Sequence, residues 1–365
     1  MPSNVDTFVR SHILQMPSYQ PVLPFDVRSE QLGIPPSQII KLDANENLYG
    51  PLPAVKQALV DLPYTHIYPD PESRQLRKAL ADYHNIPVEN ILAVAGADEL
   101  IDLIMRLILD PGDALIDCPP TFGMYAFDGD LNAAQVISVP RQQDFSLDPE
   151  TLLNTIQRRQ PKLIFLANPN NPDGSLIDRQ LLEKILALPV IVVLDEAYIE
   201  FSPPDTSMIQ EVPRRKNLVV LRTFSKWAGL AGLRVGYGAC PNNLMPYLWK
   251  IKQPYNVSVA ATSAALTSLQ GADQLQKRGQ NIISERERLY QALQAIPWLQ
   301  PYPSNGNFIL CRLLDHEGLT LQIALARSGI LVRYFDKPGL RNHIRISVGK
   351  PEHTKALVNQ LTQME

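Results

Sequence analysis

Apolar residues along this chain gather in short, nearly unbroken runs at residues 91–95, 114–117, 135–139, 163–167, 190–194, 218–222 and 235–239. Runs that do not alternate read as strands buried on both faces, and such strands belong to mostly parallel sheets covered by helices. Between several of them the apolar period lengthens. Leu100, Ile101, Leu103, Ile104, Leu107 and Ile108 make one helical stripe, which Asp110-Pro111-Gly112-Asp113 ends with a breaker signal. Residues 152–159 and 179–188 predict two more helices. The pattern predicts an α/β fold with a mostly parallel sheet of about seven strands and helices on both faces.

After residue 258 the pattern changes. Residues 259–296 read as mostly helical with a weak point at Gln270-Gly271, and residues 298–304 as a turn region. Strands are expected at 307–312, 330–334 and 343–347, with helices at 319–327 and 352–364. The chain therefore divides into a large domain over 41–258 and a smaller α+β domain over 259–365. Residues 1–40 are broken by prolines and show no sheet pattern of their own. They are expected to lie against the small domain or a neighbouring subunit.

Composition narrows the class. With 365 residues, 45% of them apolar, the chain can build one large core or two domains. A net charge of −3 gives no basic field, which argues against a nucleic-acid partner. No apolar run reaches the roughly 18 residues of a membrane helix, and residues 1–20 lack the continuous apolar core of a signal peptide. Cys118, Cys240 and Cys311 are scattered and show neither metal spacing nor a disulfide framework. That usage predicts a cytoplasmic protein with no metal.

In open α/β sheets a ligand lies beyond the carboxyl ends of the strands, so the polar residues there carry the chemistry. The run at 218–222 leads to Thr223-Phe224-Ser225-Lys226, with Arg234 eight residues on. A buried lysine loses its proton more readily and can form a Schiff base, while Thr223, Ser225 and Arg234 could hold a phosphate. Together these residues suggest pyridoxal phosphate. A surface lysine in a turn is the bland alternative. Gly96-Ala97-Asp98-Glu99 precedes a helix whose free N–H groups suit a phosphate, although Asp98 could equally serve as a helix cap. Asn171, in Asn168-Pro169-Asn170-Asn171-Pro172-Asp173-Gly174, could donate to a cofactor oxygen or belong to an ordinary turn. Asp195 ends a buried strand and needs a cationic partner there. A protonated pyridine nitrogen would serve and an arginine would also do, while Tyr198 could reach the ring hydroxyl.

Taken together, Asn171-Pro172, Asp195-x-x-Tyr198 and Ser225-Lys226 with Arg234 resemble the cofactor constellation of fold-type I, aspartate-aminotransferase-like enzymes. Further segments are similar to the histidinol-phosphate aminotransferase family. They include Leu42-Asp43-Ala44-Asn45-Glu46-Asn47-Leu48-Tyr49-Gly50-Pro51, Tyr68-Pro69-Asp70, Pro120-Thr121-Phe122-Gly123-Met124-Tyr125, Asn307-Phe308 and Arg345-Ile346-Ser347-Val348-Gly349. The resemblance implies that Lys226 holds pyridoxal 5'-phosphate and shuttles the proton. It implies that Asp195 holds the pyridine nitrogen, Asn171 and Tyr198 the ring oxygen, and Phe122 the ring face. Ala97, Asp98, Thr223, Ser225 and Arg234 would bind the cofactor phosphate, joined by Tyr68 from the partner of an obligatory homodimer. Arg345, helped by Arg333, would clamp the substrate anion, and Tyr19 would cover the substrate side chain.

The same resemblance implies transamination between histidinol phosphate and 2-oxoglutarate, giving imidazole acetol phosphate plus glutamate, and running in the opposite direction in histidine biosynthesis. Leu48, Asp173 and Phe122 depart from the family's usual proline, threonine and tyrosine, and the last two lie close to the site. Alternatives on the same fold are an aromatic or broad-specificity aminotransferase and a threonine-phosphate decarboxylase. A cofactor-binding regulator is disfavoured by charge. A dinucleotide enzyme is disfavoured because no G-x-G-x-x-G follows the first strand.

Overall fold

The computed structural model describes residues 5–18 and 21–364. The first strand, β1 (Ile40–Leu42), is followed by β2 (Ile91–Val94), β3 (Ala114–Asp117), β4 (Gln135–Ser138), β5 (Leu163–Ala167), β6 (Ile191–Asp195), β7 (Leu218–Thr223) and β8 (Gly236–Ala239). The last four are β9 (Leu299–Pro301), β10 (Phe308–Leu313), β11 (Ile330–Tyr334) and β12 (His343–Ser347).

A seven-stranded sheet has the order β2-β8-β7-β6-β5-β3-β4. Its strands are parallel except β8, which runs antiparallel to both β2 and β7. Alternate residues of each strand enter separate cores. Ile164, Leu166, Val192, Leu194 and Val220 face one layer with Leu152, Ile156, Leu182 and Ile185 from the helices Pro149–Arg159 and Arg179–Leu186. Leu163, Phe165, Val193, Val219 and Leu221 face the other with the stripe of the helix Ala97–Ile108. Burial on both sides explains why these strands read as continuous apolar runs.

A five-stranded sheet has the order β1-β11-β12-β10-β9, with β1 parallel to β11. Leu289, Leu293, Leu321, Leu325, Leu357 and Leu361 cover it from three helices. Two strands of this sheet differ from the sequence reading. Leu299–Pro301 pairs with β10 inside the region expected to be a turn. Ile40–Leu42 takes its place in the sheet across the expected 40/41 boundary, where no strand was read. Each strand has three residues, too few to show a period.

The expected divisions at 40/41 and 258/259 are crossed by the packing. Ala261, Ala264 and Ala265 of the helix Val259–Gln270 join Val55, Leu76 and Leu80 in the core of the seven-stranded sheet. The N-terminal segment, expected on the small domain or a neighbouring subunit, touches both units of its own chain. The helix Ser11–Gln15 packs on the helix Met124–Leu131, where a ring nitrogen of His12 bonds the Leu131 carbonyl at 3.2 Å. Further on, Ile40 N–H donates to the Gly329 carbonyl in the five-stranded unit. No described helix is long and apolar enough to cross a membrane.

Candidate active site

The carboxyl ends of β5, β6 and β7 lie side by side, with Ala167 opposite Asp195 and Asp195 opposite Leu221. Beyond them opens a cleft. Lys226, Asp195, Tyr198, Asn171, Phe122, Ala97, Asp98, Thr223, Ser225 and Arg234 all line it. The fold thus brings these ten expected residues to one place.

Lys226 follows β7 and is half-buried between the core residues Phe224 and Trp227. Its Nζ donates to the Ala44 carbonyl at 3.2 Å and lies 5.7 Å from the centre of the Tyr198 ring. Asp195 is buried at the end of β6. Its Oδ2 accepts from the Tyr125 hydroxyl at 2.6 Å and its Oδ1 from the Ala197 N–H at 3.0 Å. Burial pushes Asp195 up to about 6, against the pull of those two hydrogen bonds, and Asp98 and Glu196 add to the rise. Among the described residues no arginine pairs with Asp195. Arg222, on the neighbouring strand, bonds Glu196 at 2.9 Å, Glu200 at 2.7 Å and Ser207 at 2.8 Å instead. This buried network ties the strand ends that carry Asp195 and Thr223. Burial pushes Glu200 up to about 7, and Arg222 opposes the rise.

At the other end of the cleft, the helix Ala97–Ile108 begins after Gly96, and no side chain caps it. Asp98 is therefore not its cap. It pairs with Arg234 at 2.8 Å, both side chains half-exposed. Gly96 has φ 87°, and a Cβ there would stand 2.5 Å from Arg234 Nη2. Thr223 Oγ1 donates to Ser225 Oγ at 2.9 Å and accepts from the Ser225 N–H at 3.1 Å. Open N–H groups, two hydroxyls and a guanidinium make a cradle for a phosphate dianion.

Arg345 enters from β12. Its Nη1 donates to Asn171 Oδ1 at 2.5 Å and its Nη2 to the Asp43 carbonyl at 2.8 Å, with the rings of Phe308 and Phe335 at 5.4 and 5.5 Å. Arg333 stands opposite Arg345 in the β11–β12 register and shares Phe335 with it at 5.5 Å. Tyr68 stays outside the cleft of its own chain. It is 78% exposed and stacks on Tyr255 at 4.7 Å. Tyr19 lies outside the described residues.

Two residues in or beside the cleft wall, Tyr125 and Asn45, carried no assigned role in the sequence. Tyr125 is fully buried, stacked on Phe165 at 5.0 Å and edge-on to Phe122 at 5.5 Å. Its place in the quoted segment 120–125 beside Phe122 was the available signal. Asn45 donates from Nδ2 to the Tyr198 hydroxyl at 3.2 Å. It lies in a quoted motif, but its partners come from distant segments that only the fold brings near.

A buried carboxylate facing a phosphate cradle, with a lysine between strand end and cleft, defines a pyridoxal-phosphate site of the aminotransferase kind. The chain belongs to the class I and II aminotransferases, whose family model matches residues 37–362. Pyridoxal phosphate is its cofactor. In sequence it is similar to the chloroplastic histidinol-phosphate aminotransferase of Nicotiana tabacum, 53% identical over 98% of this chain and 86% of that one. The histidinol-phosphate aminotransferase of Roseiflexus castenholzii (strain DSM 13941 / HLO8) is 49% identical over 100% of both chains. The crystal structure of the histidinol-phosphate aminotransferase from Sinorhizobium meliloti, in complex with pyridoxal-5'-phosphate, matches with a TM-score of 0.88 and 27% identity over 98% of each chain. The L-threonine-O-3-phosphate decarboxylase of Porphyromonas gingivalis shares the fold, with a TM-score of 0.79 at 24% identity over 89% of this chain and 99% of that one. Fold alone therefore does not choose between these reactions.

Proposed function

We propose that this chain transfers an amino group between histidinol phosphate and 2-oxoglutarate, and runs from glutamate to imidazole acetol phosphate in histidine biosynthesis. The observation that carries the reading is the meeting of Lys226, Asp195 and Arg345 around one cleft lined by phosphate-binding groups. Full-length similarity to enzymes named for histidinol phosphate supports the substrate.

The residues fit pyridoxal phosphate. Gly96 leaves the space a Cβ would take from Arg234, and the buried Asp195 is an anion in need of a cation. When bound, that group supplies a cationic ring that withdraws the electron pair left at the substrate Cα. Asp195 would pair with the ring nitrogen. Asn171, through its Nδ2, and Tyr198 would bind the ring oxygen, and Phe122 would cover the ring face. Ala97, Asp98, Thr223, Ser225 and Arg234 would surround the phosphate. Lys226 would hold the cofactor and then move the proton at the substrate Cα. Arg345, with Arg333 beside it, would bind the substrate anion. A guanidinium fork accepts phosphate and carboxylate alike, so one site can serve two unlike substrates in turn.

The same reading makes the enzyme a homodimer in which the exposed Tyr68 reaches the partner's cofactor phosphate. It takes the chain as a large domain at 41–258 and a small one at 259–365, with the helix Val259–Gln270 of the small one packed into the core of the large one, and places the protein in the cytoplasm. Three buried, unbridged cysteines agree with a reducing compartment.

The test is glutamate formation from 2-oxoglutarate with histidinol phosphate as donor, with phenylalanine in parallel and carbon dioxide release from threonine phosphate as a third arm. Histidinol phosphate should be the favoured donor, and Lys226→Ala should abolish turnover. Preference for phenylalanine would move the enzyme to aromatic substrates. Carbon dioxide release would make it a decarboxylase.

A further inference from the structure

The motif from Leu42 to Pro51 stands out in the sequence, yet the function proposed above uses none of its side chains. Asn45 sits within it at φ 54° and is 1% exposed. Asparagine tolerates that left-handed backbone better than most residues. Its N–H donates to Ser347 Oγ at 2.8 Å, and its carbonyl accepts from Asn307 Nδ2 at 3.0 Å. The Ser347 hydroxyl donates to Asn45 Oδ1 at 3.0 Å, and Asn45 Nδ2 donates to the Tyr198 hydroxyl at 3.2 Å.

This chain of bonds has a direction. A serine hydroxyl carries one proton. Ser347 accepts the Asn45 N–H, and its own proton goes to Asn45 Oδ1. In this arrangement the amide has its NH2 side toward Tyr198. The phenol oxygen then accepts a proton, so its own proton must point elsewhere. The open side is the cleft, which Tyr198 lines.

We propose that Asn45 is a positioning residue that turns the Tyr198 hydroxyl proton into the cleft, to be donated to an anionic oxygen on the bound cofactor ring. The proposal rests on the reading that Tyr198 faces that oxygen. Ser347 and Asn307 belong to the five-stranded unit and Tyr198 to the seven-stranded one. The direction of one proton in the cleft is thus set from across the molecule. The adjacent Ala44 carbonyl, which accepts from Lys226, is held by the same segment.

The experiment is equilibrium binding of pyridoxal phosphate to the apo-protein of the wild type, Asn45→Ala, Asn45→Asp, Tyr198→Phe and the double variant Asn45→Asp/Tyr198→Phe. Aspartate has the shape of asparagine but only accepts, so it draws the phenol proton away from the cleft. Alanine leaves that proton free to turn. Asn45→Asp should weaken binding roughly tenfold, the scale of one hydrogen bond to a charged group. Asn45→Ala should weaken it less, and the double variant should bind no worse than Tyr198→Phe. A purely structural Asn45 gives the opposite order, with alanine worse than the isosteric aspartate and the full loss persisting without the phenol hydroxyl. Either of those results overturns the proposal while leaving Tyr198 in place. Wild-type affinity in Tyr198→Phe removes the assignment of Tyr198 itself.

Discussion

Replacing Tyr125 with phenylalanine removes one hydroxyl and leaves the ring packed on Phe165 and Phe122. The hydroxyl is the largest influence opposing the burial of Asp195. Asp195 sits at about 6 against an ordinary 3.8, which at neutral pH is a cost of roughly 3 kcal/mol to the apo-protein. A hydrogen bond contributes about 1.5–3 kcal/mol to a charged group against about 1 kcal/mol to a neutral one, so its loss should raise Asp195 by about one further pH unit. The sign follows from proton linkage. A carboxyl raised on folding binds its proton more tightly in the folded state. The associated stability is full below the unfolded value near 4 and is lost as pH rises through the folded one. In the wild type that loss levels off just above pH 6, and in Tyr125→Phe it should continue to about pH 7. Urea unfolding of both apo-proteins at pH 5 and pH 8 reads the difference. At pH 5 Asp195 is mostly protonated in both, so the variant should lose about 1 kcal/mol, the scale of a neutral bond. At pH 8 it should lose roughly 2–3 kcal/mol. Equal losses at the two pH values would refute the coupling.

Arg345→Ala should raise KM for histidinol phosphate and for 2-oxoglutarate together, by about a hundredfold or more if the charged pair contributes some 3 kcal/mol. A loss confined to one substrate would contradict the shared anion site. Gly96→Ala puts a Cβ 2.5 Å from Arg234 Nη2 at a backbone angle that side chains rarely adopt. It should weaken cofactor binding to the apo-protein by about tenfold or more, and unchanged affinity would show that Arg234 is not part of the cradle. Arg222→Met would leave Glu196 and Glu200 buried without their cation. It should cost about 3–5 kcal/mol in urea unfolding, and a cost below about 1 kcal/mol would mean that the network is better solvated than its burial implies.

The strands that were legible in the sequence are the longer ones, of four to six residues. Residues 114–117, 163–167, 330–334 and 343–347 appear in the structure with the bounds expected for them. The interruption at Gln270-Gly271 also appears, between the helices Val259–Gln270 and Ala272–Gln294. Two strands of three residues were not legible, because pairing with a distant partner makes them strands and local pattern does not. The cleft residues on strand ends, Asp195 and Thr223 among them, could be located because buried runs point to them. Tyr125 and Asn45 could not be assigned a role in this way. Their importance lies in the direction of hydrogen bonds whose partners are 70, 153 and 302 positions away.

Because β1 lies at residues 40–42 and its neighbour β11 at 330–334, the five-stranded sheet cannot close until the chain has been synthesised past residue 334. Contacts this distant carry a high loop-closure cost and form slowly. The seven-stranded sheet has its last strand by Ala239, well before β11 leaves the ribosome. During that interval the segment that carries Ala44 and Asn45 has no Ser347 or Arg345 to hold it. The bonds that fix Asn45 beside Tyr198 can therefore form only after β12 has been made.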